Sequence, residues 1–272
     1  CTSVYGYSGP ISNVNFASLP IEFLDKFYLF FLSFLHSQKI VSIFSVLHPL
    51  SDQQILLNRT ESLHPIGKTV AINLRLPIEE QRLQYRRPIR LKINQLRRKG
   101  FTVRLTKSLD KLHVFAEIYR ENMIKVGASD KYIFDDKYFE EIMGSADFDT
   151  ELLLAYYQEE IVAGAMMVFT NNIVQLHLAG TRNEFLKESP MKLIFDEASL
   201  IGRAREMHYL HLGSGVGGKE DSLFHFKRGF SDCLFDFTTW RYIVNPEIYN
   251  ELVLARAGKV DASLFPLYRF VV

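Results

Sequence analysis

The chain has 272 residues, 47% apolar and 23% charged, an ordinary globular composition that excludes wholesale disorder, collagen-like repeats and a polar low-complexity tail. Thirty-two Lys and Arg stand against 31 Asp and Glu, a formal +1, so no global field marks a general binder of nucleic acid or acidic polymers. Two cysteines, Cys1 and Cys233, can neither staple a fold of this size nor make a four-ligand zinc site, and they fit a reducing, cytoplasmic compartment.

The chain starts at Cys1 rather than at Met and reads as a fragment or a trimmed chain, with no charged region ahead of an apolar stretch to suggest a signal peptide. Residues 1–18 are rich in Gly, Ser, Asn and Pro and read as loop. Pro20 suits the first turn of a helix running to about Gln38. The apolar centre of that helix, residues 27–35 (FYLFFLSFL), is far short of the ~20 residues that cross a bilayer. It is expected to be a core helix, with contact to a membrane surface as the alternative and no stable insertion. Residues 40–47 and 69–74 read as strands. Residues 1–75 are thus expected to be the remnant of a first domain, and residues 76–272 a second.

Residues 79–99 are helical in composition but interrupted at Pro88. A strand is expected at 101–105 and helices at 109–126 and 138–143. Strands at 151–157, 161–169 and 173–180, joined by Gln158-Glu159-Glu160 and Thr170-Asn171-Asn172, have the signature of an antiparallel meander. Then come a helix at 190–207, a strand at 209–212, a glycine turn at 216–218, a helix at 219–228, a last strand at 234–242 and a last helix at 246–256. The fold class is mixed α/β.

Four segments carry chemistry. Tyr5-Gly6-Tyr7-Ser8-Gly9-Pro10 combines flexible glycines with two aromatic hydroxyls suited to a sugar or nucleotide, or is simply a tight turn with packed aromatics. Between residues 82 and 109 lie ten Lys or Arg and no Asp or Glu, and Arg82, Arg86 and Arg90 would share a face if the helix survived Pro88. Such spacing makes a phosphate-binding rim. The alternative is pairing with residues 130–160, which hold ten Asp or Glu. Asn122, Met123, Ala128, Tyr132 and Phe134 read as core, or as the wall of an acceptor pocket. The sharpest segment is HLGSGVGGKEDSLFHFKRGF, residues 211–230, where a short strand ends in a glycine-rich loop and a helix follows. Backbone N–H groups in such a loop bind anions, and Lys227 stands two turns into the helix. The spacing matches neither a Walker loop nor a dinucleotide fingerprint. The histidines lack a metal-binding spacing, and no metal is expected.

The ordered set of motifs YGYSGP, FSVLHP, RRPIRLKINQLRRKG, YRENMIKVGASDKYIF, LHLAGT with ESPMKLIFDEA, and HLGSG with DSLFHFKRGFS resembles the GNAT-fold acyltransferases of the FemA/FemB/FemX-like group. The resemblance implies a mostly antiparallel mixed sheet with helices on both faces, one complete GNAT-like domain plus part of another. It also implies transfer of an acyl or aminoacyl group to an amine of a cell-envelope glycan or peptidoglycan precursor. The donor would be acyl-CoA or aminoacyl-tRNA, and the partner a nucleotide- or lipid-linked precursor. The family's functional Phe-Lys pair falls on Phe226 and Lys227. Lys227 would stabilise charge at the donor carbonyl, and Asp221 would be a base or acceptor-binding carboxylate, or else a helix cap. Gly213, Ser214 and Gly215 would form the loop beside them, Arg86 and Arg90 would hold a phosphate, and Tyr5 and Tyr7 would line the acceptor side. This chain departs from the pattern where an Arg is usual, at Val46 or Leu47, and where a third Gly is usual, at Ser214. It also lacks the (Arg/Gln)-x-x-Gly-x-(Gly/Ala) signature of acetyl-CoA-using members. These departures leave a non-catalytic glycan- or nucleotide-binding relative as the rival reading.

Overall fold

A computed structural model describes residues 1–3, 5–255 and 264–269. In chain order its elements are α1 (Ile21–Ser37), β1 (Ser42–Val46), α2 (Gln54–Leu57), β2 (Leu63–Asn73), α3 (Ile78–Leu83), α4 (Arg87–Arg98), β3 (Thr102–Thr106), α5 (Leu109–Lys125), α6 (Asp136–Met143), β4 (Asp149–Tyr157), β5 (Glu160–Thr170), β6 (Ile173–Thr181), α7 (Met191–Ala204), β7 (Tyr209–Gly213), α8 (Ser222–Arg228), β8 (Leu234–Ile243) and α9 (Pro246–Ala255). The chain divides into two compact units. The first takes Cys1–Lys68, Gly217–Lys219 and the described residues from Phe235 onward; the second takes Thr69–Val216 and Glu220–Leu234.

In the first unit β1 and β8 pair antiparallel, from Ser42 opposite Ile243 to Val46 opposite Thr239. The last strand expected at residues 234–242 is β8, and it completes β1, a long-range pairing that no local pattern announces. The opening loop runs beside β1, with the N–H of Ser3 on the Phe44 carbonyl and that of Ser8 on the Val46 carbonyl. Helix α1 buries Leu24 and Leu35 in a cluster with Leu56, Leu57 and Trp240. It is only half a core helix: Phe23, Phe27, Phe30 and Phe34, one above another at four- and three-residue spacing, are exposed.

Two glycines meet back to back in this unit. A Cβ on Gly67 would overlap the Gly218 carbonyl oxygen, and one on Gly218 would stand 2.5 Å from the Ile66 oxygen. Both have positive φ, 156° and 84°. Gly67→Ala therefore forces backbone apart as well as straining φ, and is expected to destabilise the protein by on the order of 2–4 kcal/mol. A lower urea midpoint at unchanged slope is the readout.

The second unit holds a sheet in the order β2, β7, β6, β5, β4, β3, in which only the β6–β7 pair is parallel. This is the mixed, mostly antiparallel sheet with helices on both faces that the sequence predicts. The β4–β5 and β5–β6 hairpins turn at Gln158–Glu159 and Asn171–Asn172, all four with φ between 47° and 64°. Along β4, Leu153 and Ala155 join a core under α4, α7 and α8, while Leu152, Leu154 and Tyr156 join a second core under α5 and α6. Coverage on both sides explains why this strand reads as a continuous apolar run. Where one helix broken at Pro88 was expected, there are two. The break falls earlier, at residues 84–86, and Pro88 sits in the first turn of α4, where its missing N–H costs nothing. Arg82, Arg86 and Arg90 consequently do not share one helical face.

Candidate active site

The parallel contact between β6 and β7 is short. Ile173, Val174 and Gln175 lie opposite Tyr209, Leu210 and His211. Beyond that point β6 continues to Thr181 on β5, and β7 continues to Gly213 on β2. The two strands part and leave a fork in the sheet. Across the fork's closed end, His211 Nδ1 and Gln175 Oε1 lie 2.6 Å apart. One prong ends at Gly213, whose φ of 79° turns the chain into Ser214.

Lys227 and Asp221 build the floor beside this prong. Asp221 caps α8: its Oδ1 accepts the Phe224 N–H and its Oδ2 the Val216 N–H, each at 2.9 Å. That cap starts α8 at Ser222, three residues later than the sequence suggests. Burial works against the Asp221 charge, but backbone N–H groups of Phe224, Val216 and Leu223 outweigh it and hold the carboxyl below its usual range. Lys227 is 8% exposed, and its Nζ donates to the Ser214 carbonyl at 2.6 Å. Burial, only partly offset by the Asp221 charge, brings its ammonium down from 10.5 to about 8. The Ser214 hydroxyl is buried with no hydrogen-bond partner among the described residues.

The structure thus brings Gly213, Ser214, Asp221 and Lys227 together. Phe226 packs inward on Phe195 and Phe230, at centroid distances of 5.8 and 5.7 Å. Leu223, three positions before Phe226, is 41% exposed. The α8 turn therefore points Phe224 and Lys227, not Leu223, into the unit. Tyr5 and Tyr7 belong to the first unit. Tyr5 is exposed, whereas Tyr7 packs edge-on against His48 and Phe237, and burial pushes its phenol up. Val46, one of the positions where the family pattern has Arg, lies in β1.

Six of the ten positive residues in the basic run are ion-paired. Arg82 and Arg97 hold Asp196, Arg97 also holds Glu197, and Lys92 and Lys99 hold Glu188. Only Arg104 and Lys107 reach the acidic stretch 130–160, through Glu159, Asp149 and Glu151. Arg86, Arg87, Arg90 and Arg98 make no ion pair among the described residues, and the Arg86 N–H is tied to the Gly229 carbonyl at the end of α8. A cavity of about 370 Å³ is lined by Arg97, Phe101, Thr102, Val103, Leu193 and Glu197, none of them at the fork. Among the described residues no cluster of His, Cys, Asp or Glu is arranged to hold a metal, and no helix is long and apolar enough to cross a membrane.

The meeting of Gln175 with His211, the first residue of the 211–230 segment, escaped the sequence reading, because strands that meet only in parallel leave no local trace. Asp196 escaped it because an acidic residue on a helix gives no sign of lying under two arginines.

Residues 84–228 match the acetyltransferase (GNAT) domain family. The crystal structure of FemX superposes with a TM-score of 0.71 at 15% identity, over 88% of this chain and 80% of that one. L-PGS from Bacillus licheniformis gives 0.55 at 15% identity, over 85% and 77%. The C-terminal domain of a putative lysylphosphatidylglycerol synthetase from Agrobacterium fabrum gives 0.56 at 14% identity, over 86% and 77%. No curated protein matches the chain in sequence.

Proposed function

We propose that this chain, which belongs to the acetyltransferase (GNAT) domain family, transfers an acyl or aminoacyl group to an amine of a cell-envelope glycan or peptidoglycan precursor. It is an acyltransferase by family; the substrates are the proposal. The observation that carries it is the fork between β6 and β7 with the buried Lys227 ammonium beside its Gly213 prong. A donor laid into the fork offers its carbonyl to an amine entering from the open side. As the amine nitrogen bonds to the carbonyl carbon, negative charge gathers on the carbonyl oxygen. A partly desolvated ammonium stabilises that charge more than it would in water. The tetrahedral adduct then expels the donor's leaving group: coenzyme A departs as its thiolate while the amine proton passes to solvent, or the tRNA ribose oxygen departs and takes up one proton as the amine gives one up, so that it ends as the hydroxyl.

Lys227 is the catalytic residue in this scheme. Asp221 is a positioning residue, because both its oxygens clamp backbone and its lowered pKa makes it a weak base near neutrality. Arg86 and Arg90, without an ion-pair partner among the described residues at the start of α4, would take a phosphate of the acceptor. The segment before α7 lacks the (Arg/Gln)-x-x-Gly-x-(Gly/Ala) signature of acetyl-CoA-using members, so aminoacyl-tRNA stands beside acyl-CoA as donor. The assay offers the protein acetyl-CoA and, separately, charged tRNA, each with nucleotide- and lipid-linked envelope precursors. The expected result is an acceptor heavier by one acyl or aminoacyl group. No mass shift with either donor would overturn the reading.

A further inference from the structure

Helix α4 sorts its side chains by face. Ile89, Ile93 and Leu96 are buried and anchor it. Lys92 is paired on one flank with Glu188, and Arg97 on the other with Asp196 and Glu197. Arg87, Leu91, Asn94 and Arg98 follow one another at four-, three- and four-residue spacing, so they form a single outward crest. All four are exposed, and Leu91 is 56% exposed. Leu83, 68% exposed, ends α3 just before it. Arg87 and Arg98, at the two ends of the crest, have no carboxylate partner among the described residues, on a chain whose formal charge is only +1. Arg86 and Arg90, assigned to the acceptor, add to the positive field without being needed for this surface.

We propose that this crest is a docking surface for an anionic lipid bilayer. Uncompensated positive charge selects a negative surface. Two exposed leucines, one ending α3 and one on the crest of α4, select a surface with an apolar layer just beneath its charges. A nucleic-acid backbone would use the arginines and leave the leucines wet. The buried face keeps the helix fixed, so the crest meets the membrane without a folding cost. Arginine stems lie along the headgroup boundary with their guanidinium groups on lipid phosphates, and Leu83 and Leu91 enter the acyl margin. This inference is separate from the choice of donor and acceptor, and its test uses neither.

The full chain is mixed with vesicles of equal parts phosphatidylcholine and phosphatidylglycerol, with vesicles of phosphatidylcholine alone, and with total tRNA. Binding is read by sedimentation for vesicles and by gel shift for RNA. The protein should sediment with the anionic vesicles at low salt, remain free with the neutral ones, and be released at ~0.5 M salt. Arg87→Glu with Arg98→Glu should weaken vesicle binding at least roughly thirtyfold. Leu83→Ser with Leu91→Ser should weaken it about tenfold. All four positions are exposed, so the circular dichroism spectrum should not change. Equal binding to neutral vesicles, no binding to either, loss with neither variant pair, or a crest-dependent shift of RNA without vesicle binding would each overturn the proposal.

Discussion

Lys227→Met is expected to lower transfer about a hundred- to a thousandfold, the loss that follows removal of one oxyanion donor, while the denaturation midpoint holds or rises. Methionine fills much the same volume and removes the cost of burying an ammonium. A residue that served packing alone would show the reverse pattern. Lys227→Ala should lose the same activity and some stability as well, because it opens space in a site that is 8% exposed. Lys227→Arg should recover activity in part, its planar guanidinium placing the charge differently. The pH profile separates the roles further. With an ammonium titrating at about 8, charge at the carbonyl fades as pH rises through that value, so the rate should carry a falling limb there. The limb should be absent in Lys227→Arg, whose charge persists. Stability moves the other way. Between about 8 and the usual 10.5 the unfolded chain holds a proton that the folded chain has released, so this group makes stability rise with pH across that window. Rate against pH for the parent and the arginine variant, beside urea midpoints at pH 7.5 and pH ~9.5, would expose any failure of this assignment.

Arg82→Ala combined with Arg97→Ala is expected to cost about 3–5 kcal/mol of stability, the scale for stranding a buried charge. Asp196 is 1% exposed on its side chain and accepts from Arg82 Nε and Nη2 at 3.1 and 2.8 Å and from Arg97 Nη2 at 2.8 Å. Its charge and the burial of Tyr85 together push that neighbouring phenol up to about 12, burial being the larger cause. Either arginine alone still compensates the carboxylate, so the single variants should lose much less and the two losses should not add. Adding Asp196→Asn to the double variant should recover part of the stability. Thermal or urea midpoints of the four proteins complete the cycle, and an additive result would mean that the two arginines act independently.

Local pattern made most elements legible. The polar links at Gln158–Glu160 and Thr170–Asn172 marked the meander, and the alternation of Leu152, Leu153 and Leu154 between two cores is the physical form of its apolar runs. Asp221 as a possible cap, and the nearness of Lys227 to the glycine loop, were readable because both lie within a few residues of what they touch. Pairings between distant segments were not readable. β8 closes on β1, and β6 meets β7 over three residues before parting from it; both depend on where far-off segments return. The partners of the basic run were hidden for the same reason: six of its charges are spent on carboxylates, four of them 89 or more positions along the chain. What composition cannot separate is a guanidinium already satisfied from one still facing solvent.

The pairing of β1 with β8 also governs the order in which this protein can form as it leaves the ribosome. β1 is made about 200 residues before the strand that completes it, a wait of roughly 10–40 s at ~5–20 residues per second. Through that interval one flank of β1 carries open N–H and carbonyl groups, a template for pairing with other nascent chains. The β4, β5 and β6 hairpins need only neighbours a few residues away and close as they emerge. Growing chains should therefore pass through a stage in which the meander resists protease while the β1 region is still cut, and the yield of the whole protein depends on how well that waiting edge is shielded.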